Sequence, residues 1–147
     1  MSIFVRQALA QDWPALRQLF LASRRHAFAW QAIEHFRLAD LDEQTVDESI
    51  WVAQAPHDEL AGFVSLWEPD HFIHHLHVAP THQRHRVGKM LLQALPQWEV
   101  HRYQLKCLLR NEKALAFYAA CGFMTVGAGE GEDGSYLLLE RKAGAWP

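Results

Sequence analysis

One stretch sets the terms for the whole chain. Residues 71–78 read HFIHHLHV, a strand-forming run in which Phe72, Ile73, Leu76 and Val78 are set among histidines. Pro80 ends the run, because proline has no N–H to give to a sheet. Gln83, Arg84, His85 and Arg86 follow. A helical pattern then opens near Gly88, with Val87, Leu91, Ala94, Leu95 and Trp98 on one face. A strand that feeds a helix start through a loop full of donors and free of acids points to a mixed α/β fold and an anionic ligand.

The charge around this stretch supports the same reading. Between Glu34 and Asp70 ten acids stand against one base, Arg37; from His71 to Trp98 there is no acid, three bases and six histidines. The formal net charge of −3 argues against nucleic acid as the main partner. Half of the 147 residues are apolar, which argues for an ordered core and for one domain spanning 1–147. Cys107 and Cys121 lie in apolar runs and read as core residues of a reduced protein. The start MSIFVRQALA has no signal-like apolar segment, and no apolar run reaches the roughly 18 residues of a membrane span. A cytoplasmic location without membrane contact is the expectation.

Periodicity divides the rest. Ile3–Ala8 reads as a strand, and Asp12 as the cap of a helix with Trp13 and Pro14 in its first turn and Leu16, Leu19, Phe20 and Ser23 at helical spacing. Arg24–Trp30 reads as helix or loop, and the acidic, aperiodic Ala39–Glu48 as a solvated loop. Ser49–Ala55 and Leu60–Trp67 form a hairpin across Pro56–Glu59. Phe72–Val78 is the next strand, and Pro96 either kinks the helix after it or ends it near Leu95. Gln104–Leu109 is a strand, and Asn111 caps a helix that stops at Gly122. Met124–Val126 and Ser135–Glu140 pair across the Gly/Glu-rich Gly127–Gly134. The order is β α (α) β β β α β α β β.

Two blocks resemble the GCN5-related N-acetyltransferase (GNAT) superfamily. VAPTHQRHRVGKMLL, Val78–Leu92, is similar to that family's acyl-CoA loop, V-x-P-x-x-Q/R-x-x-G-x-G/A before a helix. RNEKALAFYAACGF, Arg110–Phe123, is similar to its N-x-x-A-x-x-F-Y-x-x-x-G-F. The resemblance implies a mixed central sheet of about six to seven strands, splayed between the fourth and fifth and flanked by about four helices. It also implies acetyl-CoA as cosubstrate and acetyl transfer to a primary amine by direct attack in a ternary complex. One position departs from the pattern: Arg86 stands where the family usually has glycine. Arg86 is expected to fit by keeping a negative φ with its side chain outward.

Under this resemblance Gln83–Gly88 holds the CoA diphosphate through N–H groups at a helix start, with Arg84, His85, Arg86, Val87 and Lys89 around it. Leu76, His77 and Val78 offer main-chain groups to the pantetheine arm and to the developing oxyanion. Tyr118 protonates or stabilises the leaving thiolate, and Asn111 caps its helix, contacts the cofactor or does both. His77, beside Val78, is the candidate general base; His75 shares its strand face and His74 points the other way. The alternative for each histidine is ordinary packing in the strand.

The acceptor side is expected between the first helices and the second strand. Trp30, Phe36 and His75 are the candidate substrate contacts, and Phe28 with Asp40, Asp42, Glu43, Asp47 and Glu48 completes an aromatic and acidic rim suited to a cationic amine. A small-molecule amine, a peptide N-terminus or a lysine all fit, and a homodimer is among the states left open. His75-x-His77 has the spacing of half a metal site, but no matching ligand pair stands nearby in sequence, so no metal is expected. A competing class is a CoA-binding module that senses acyl-CoA without turnover.

Overall fold

A computed structural model describes residues 2–83 and 85–144. Strands β1 (Phe4–Gln7), β2 (Ser49–Gln54), β3 (Leu60–Trp67), β4 (Phe72–Val78), β5 (Tyr103–Leu108), β6 (Met124–Gly131) and β7 (Gly134–Arg141) form one sheet in the order β1-β2-β3-β4-β5-β7-β6. Helices α1 (Trp13–Ala27), α2 (Asp40–Gln44), α3 (Val87–Gln93) and α4 (Glu112–Ala120) connect them. β1–β2, β2–β3, β5–β7 and β6–β7 are antiparallel, and β4–β5 is the parallel step. This is the mixed sheet expected from the order of elements. No helix among the described residues is long and apolar enough to cross a membrane.

The chain forms two compact units, and β4 passes from one to the other at His74. The first unit runs to Leu66 and resumes over His75–Leu95. Its core joins Leu16, Leu19 and Phe20 of α1 and Leu41 of α2 to Ile50, Val52, Leu60 and Phe63 of the sheet. Successive strand residues face opposite sides. Phe63 meets Phe20 of α1, with ring centroids 5.8 Å apart, whereas Gly62 faces Val87 and Leu91 of α3. The helices α1 and α3 therefore cover opposite faces of the same strands. Gly62 also lies against the main chain of β4: a Cβ there would meet the His77 carbonyl oxygen at 2.7 Å.

The second unit takes Trp67–His74 and the chain from Pro96 onward. Tyr103, Leu105 and Cys107 point into its core from alternate positions of β5. There Trp98 packs near Tyr103 and Phe123, and Phe123 near Tyr118. The Tyr103 hydroxyl donates to the Pro96 carbonyl, and Arg141, buried beneath Trp98, donates to the Trp98 carbonyl at 3.0 Å. Both cysteines are free and buried.

Three local expectations change and two open alternatives are resolved. Asp12 precedes α1 but gives no side-chain cap, because Arg6 takes its carboxylate in two contacts of 2.8 and 2.9 Å and the Leu9 N–H donates to it. The Arg6 hydrogen bonds hold its pKa below the ordinary carboxylate value. The ambiguous stretch after Arg24 continues α1 to Ala27. Ala39–Glu48 is not simply a solvated loop: it holds α2, anchored by buried Asp40 and Leu41. Gly127–Gly131 is strand rather than loop. Its glycines leave room for a ring, since a Cβ on Gly129 would strike the Tyr136 side chain, and Lys106 Nζ sits 4.9 Å from that ring. At Pro96 the choice between kink and stop resolves as a stop, with α3 ending at Gln93.

Gly62→Ala is expected to destabilise the fold by about 1–3 kcal/mol, because backbone and two core side chains must all shift. The readout is a lower urea midpoint at unchanged m-value. An unchanged midpoint would show that β3 and β4 yield without cost.

Candidate active site

The site is assembled from the end of β4 onward. The parallel β4–β5 ladder has two registered pairs, Phe72↔Gln104 and Ile73↔Leu105, and no further pair is present among the described residues. From Leu76 to Val78 the strand continues half-buried. The Ala79 N–H donates to Ala61 O at 2.8 Å, so the exit from β4 stays tied to β3. Pro80–His82 makes one tight turn, closed by the His82 N–H on Ala79 O at 2.8 Å, and His82 is buried with its Nε2 3.3 Å from Glu59.

Beyond this turn Gln83, His85 and Arg86 are exposed, whereas Val87 and Gly88 are buried. Arg84 lies outside the described residues. Arg86 precedes α3 at φ 61° and ψ 21°, the left-handed region, which corrects the expectation of a negative φ. The physical reason is that the turn into α3 needs the conformation that glycine usually supplies, and Arg86 adopts it despite its Cβ. It gives α3 no side-chain cap, and the first described helical bond runs from the Met90 N–H to Arg86 O at 3.0 Å. The N–H groups of Val87 and Gly88 therefore precede the first helical hydrogen bond, at the positive end of α3. Lys89 lies in the same first turn.

His75 and His77 occupy the α1 face of β4. The Phe20 ring stands edge-on to both, at 4.8 and 5.1 Å, and Phe63 stacks on His77 at 5.6 Å. His77 Nδ1 lies 2.9 Å from Ser23 Oγ. The residue as a whole is half-buried, yet burial, with Arg24 nearby, lowers the pKa of the ring to about 3. His77 is thus neutral at physiological pH and a weak acceptor of a full proton. His74 is exposed on the other face. Among the described residues no group of three or more His, Cys, Asp or Glu is placed to hold a metal ion.

In the second unit Asn111 caps α4 by accepting the Ala114 N–H at 3.4 Å. Tyr118 is buried between Phe117 and Phe123. Burial, then the neighbouring Cys107 and Cys121, push its pKa well above the ordinary phenol value. The hydroxyl is therefore held protonated.

The segment around α2 is less acidic in effect than in sequence. Asp40 is buried with Arg24 at 3.1 Å and also accepts the Arg37 N–H at 2.9 Å. Burial raises its pKa, but those hydrogen bonds outweigh it and the net shift is downward. Asp42 pairs with Arg17 at 2.8 Å and Glu43 with Arg37 at 3.3 Å. Phe36 is buried beneath Arg24, whose guanidinium is 5.0 Å from that ring and 3.7 Å from Phe20. Half-buried Phe28 stands between Phe36 and Trp30, at 6.2 and 5.4 Å. Two residues escaped the sequence reading of the site. Ser23 looked like part of an apolar helix face. Gly62 carried a readable signal, since a glycine inside an apolar strand often marks a close backbone approach.

Residues 13–123 match the Acetyltransferase (GNAT) family, and the chain belongs to that family. It is 28% identical over 127 residues to the peptidyl-lysine N-acetyltransferase YiaC of Escherichia coli K12, covering 83% of this chain and 84% of that protein. Among solved structures it resembles the PaiA N-acetyltransferase of Thermoplasma acidophilum in complex with coenzyme A, at TM-score 0.81, 22% identity and coverage of 97% and 99% of the two chains. It also resembles apo YjaB of Escherichia coli, at TM-score 0.76, 21% identity and coverage of 97% and 99%. A spermidine N-acetyltransferase SpeG chimera of Vibrio cholerae and hSSAT shares the fold at TM-score 0.65, 18% identity and coverage of 97% and 96%.

Arg86→Gly is expected to stabilise the protein by about 0.5–1 kcal/mol, after the greater freedom of an unfolded glycine is set against the relieved left-handed arginine. A higher melting temperature checks this, and a lower one contradicts it. A second expectation concerns acid. Folding lowers the His77 pKa from 6.5 to about 3, so between those values the folded chain binds fewer protons than the unfolded. Its contribution is complete above about pH 6.5 and is lost toward pH 3, at up to about 1.4 kcal/mol per pH unit. His77→Gln should flatten the loss of stability between about pH 4 and 6 in urea titrations. An equal slope in both proteins would rule out this histidine as its source.

Proposed function

We propose that the protein transfers the acetyl group of acetyl-CoA to a primary amine by direct attack within a ternary complex. The observation that carries this is the start of α3 in a chain of this family. An acid-free turn there leads into an uncapped helix whose Val87 and Gly88 N–H groups precede the first helical bond. Such donors suit a diphosphate, with the exposed side chains of Gln83, His85 and Arg86 and the first-turn Lys89 adding polar contacts and charge. The residues present therefore fit the cosubstrate.

Main-chain groups of Leu76, His77 and Val78 pair with the pantetheine arm, and an N–H there receives the thioester oxygen as it becomes an oxyanion. The amine nitrogen bonds to the acetyl carbon, the C–S bond breaks, and the CoA thiolate leaves. Tyr118, held protonated, donates to that thiolate as charge develops on sulfur. The role of Asn111 is to fix α4 and with it Tyr118. A pKa of about 3 favours His77 as a hydrogen-bonding group for the amine over full proton abstraction, with the proton leaving through water.

The acceptor is a primary amine. The relatives include a protein named for peptidyl-lysine acetylation and one named for spermidine. The pairing of Asp40, Asp42 and Glu43 with arginines weakens the field a polycation would need, which favours a lysine of a peptide. Trp30, Phe36 and His75 are proposed to shape that side of the site.

Release of free CoA from acetyl-CoA, measured across lysyl peptides, free amino acids and polyamines, tests the reading. Release is expected with at least one amine. Acetyl-CoA binding without release for any of them would identify a binding module instead. Tyr118→Phe should lower kcat by about 10²-fold or more with little change in CoA affinity, and an unaltered kcat would remove the acid role.

A further inference from the structure

The first unit contains a contact that the proposed chemistry does not yet use. Ser23 sits in the last half of α1, 5% exposed, and its Oγ is 2.9 Å from His77 Nδ1. No other hydrogen bond to the His77 ring is found among the described residues, so one ring nitrogen is anchored and Nε2 has no protein partner. The ring cannot turn easily. Phe20 stands edge-on to it, Phe63 stacks on it and His75 lies 5.9 Å away on the same strand. The charged group nearest in effect is Arg24 of α1, itself engaged with Asp40 and the Phe20 ring.

We infer that Ser23 is a positioning residue that fixes the His77 ring and its tautomer, so that His77 presents an unprotonated Nε2 to the acceptor amine. A helical serine commonly turns its hydroxyl hydrogen toward the carbonyl one turn back. Its oxygen then accepts the His77 Nδ1–H. A neutral imidazole with its proton on Nδ1 keeps its lone pair on Nε2. That lone pair accepts an N–H of the amine and points the nitrogen lone pair at the acetyl carbon, which is orientation rather than proton transfer. Arg24 holds α2 through Asp40 and packs on Phe20, so the same helical turn that fixes His77 also holds the acceptor segment.

This inference rests on the acetyltransferase reading, and the two fail differently. With acetyl-CoA and a lysyl peptide, Ser23→Ala should lower kcat/KM for the amine about tenfold and leave KM for acetyl-CoA unchanged. Ser23→Thr, which keeps the hydroxyl, should restore most of it. In a His77→Ala background Ser23→Ala should add no further loss. Carbon and nitrogen NMR shifts of the His77 ring should report the Nδ1–H tautomer in the unmodified protein and a mixture after Ser23→Ala. Wild-type protein without turnover on any amine would sink the acetyltransferase reading, while the ring shifts would still decide the Ser23–His77 coupling. Turnover with an unaffected Ser23→Ala variant, an undiminished loss in the His77→Ala background, or a wild-type Nε2–H tautomer would each overturn the inference. Should Ser23→Ala fail to fold, Ser23→Thr and the wild-type ring shifts decide it.

Discussion

The structure depends on how closely two strands and a helix can approach at one point. Gly62 lets the His77 carbonyl, Val87 and Leu91 converge where a methyl group would overlap all three. That approach fixes the last residues of β4 against β3 and seats α3 on the opposite side from α1. Among the described residues the parallel ladder of β4 with β5 holds the pairs at Phe72 and Ile73. The tie from Ala79 to Ala61 then sets where the chain leaves the sheet and enters the turn before α3.

Electrostatics in the first unit is mostly internal. Acids that form an acidic run in sequence are drawn onto Arg17, Arg24 and Arg37, and in the case of Asp40 and Arg24 the pair is buried. Burial of both partners makes each dependent on the other, since a lone charge there would be costly. The loop before α3 differs: its own sequence carries no acid, and Arg86 occupies a left-handed conformation that most residues avoid. Strain of that kind persists where the surrounding structure dictates the path of the backbone, and it gathers at ligand-binding turns.

Much of this was legible in the residues themselves. The bounds of β3 and β4, the Asn111 cap and the burial of both cysteines follow from alternation, capping chemistry and the missing N–H of proline. The misread segments share a different cause. Asp12 has the chemistry of a cap, yet Arg6 from β1 captures it. Asp40 and Leu41 look like part of a polar loop until Arg24 and the α1 core supply partners. Gly127, Gly129 and Gly131 have turn composition, yet they lie in a strand because β7 supplies an antiparallel partner, and the Tyr136 ring occupies the space that Gly129 leaves open. In each case a residue distant in sequence outweighed the local preference.

The sequence by itself determined the order of elements, the strand–proline–loop–helix arrangement and the two blocks that mark the family. Those are local matters of side-chain period, of proline and glycine backbone limits, and of where charge is absent. Only the tertiary structure decided that Ser23 meets His77, that Asp40, Asp42 and Glu43 are already paired with arginines, that Arg86 takes a positive φ, and that the phenol of Tyr118 is buried. Hydrogen bonds, desolvation and close packing between residues far apart in the chain exist only once the strands and helices have assembled.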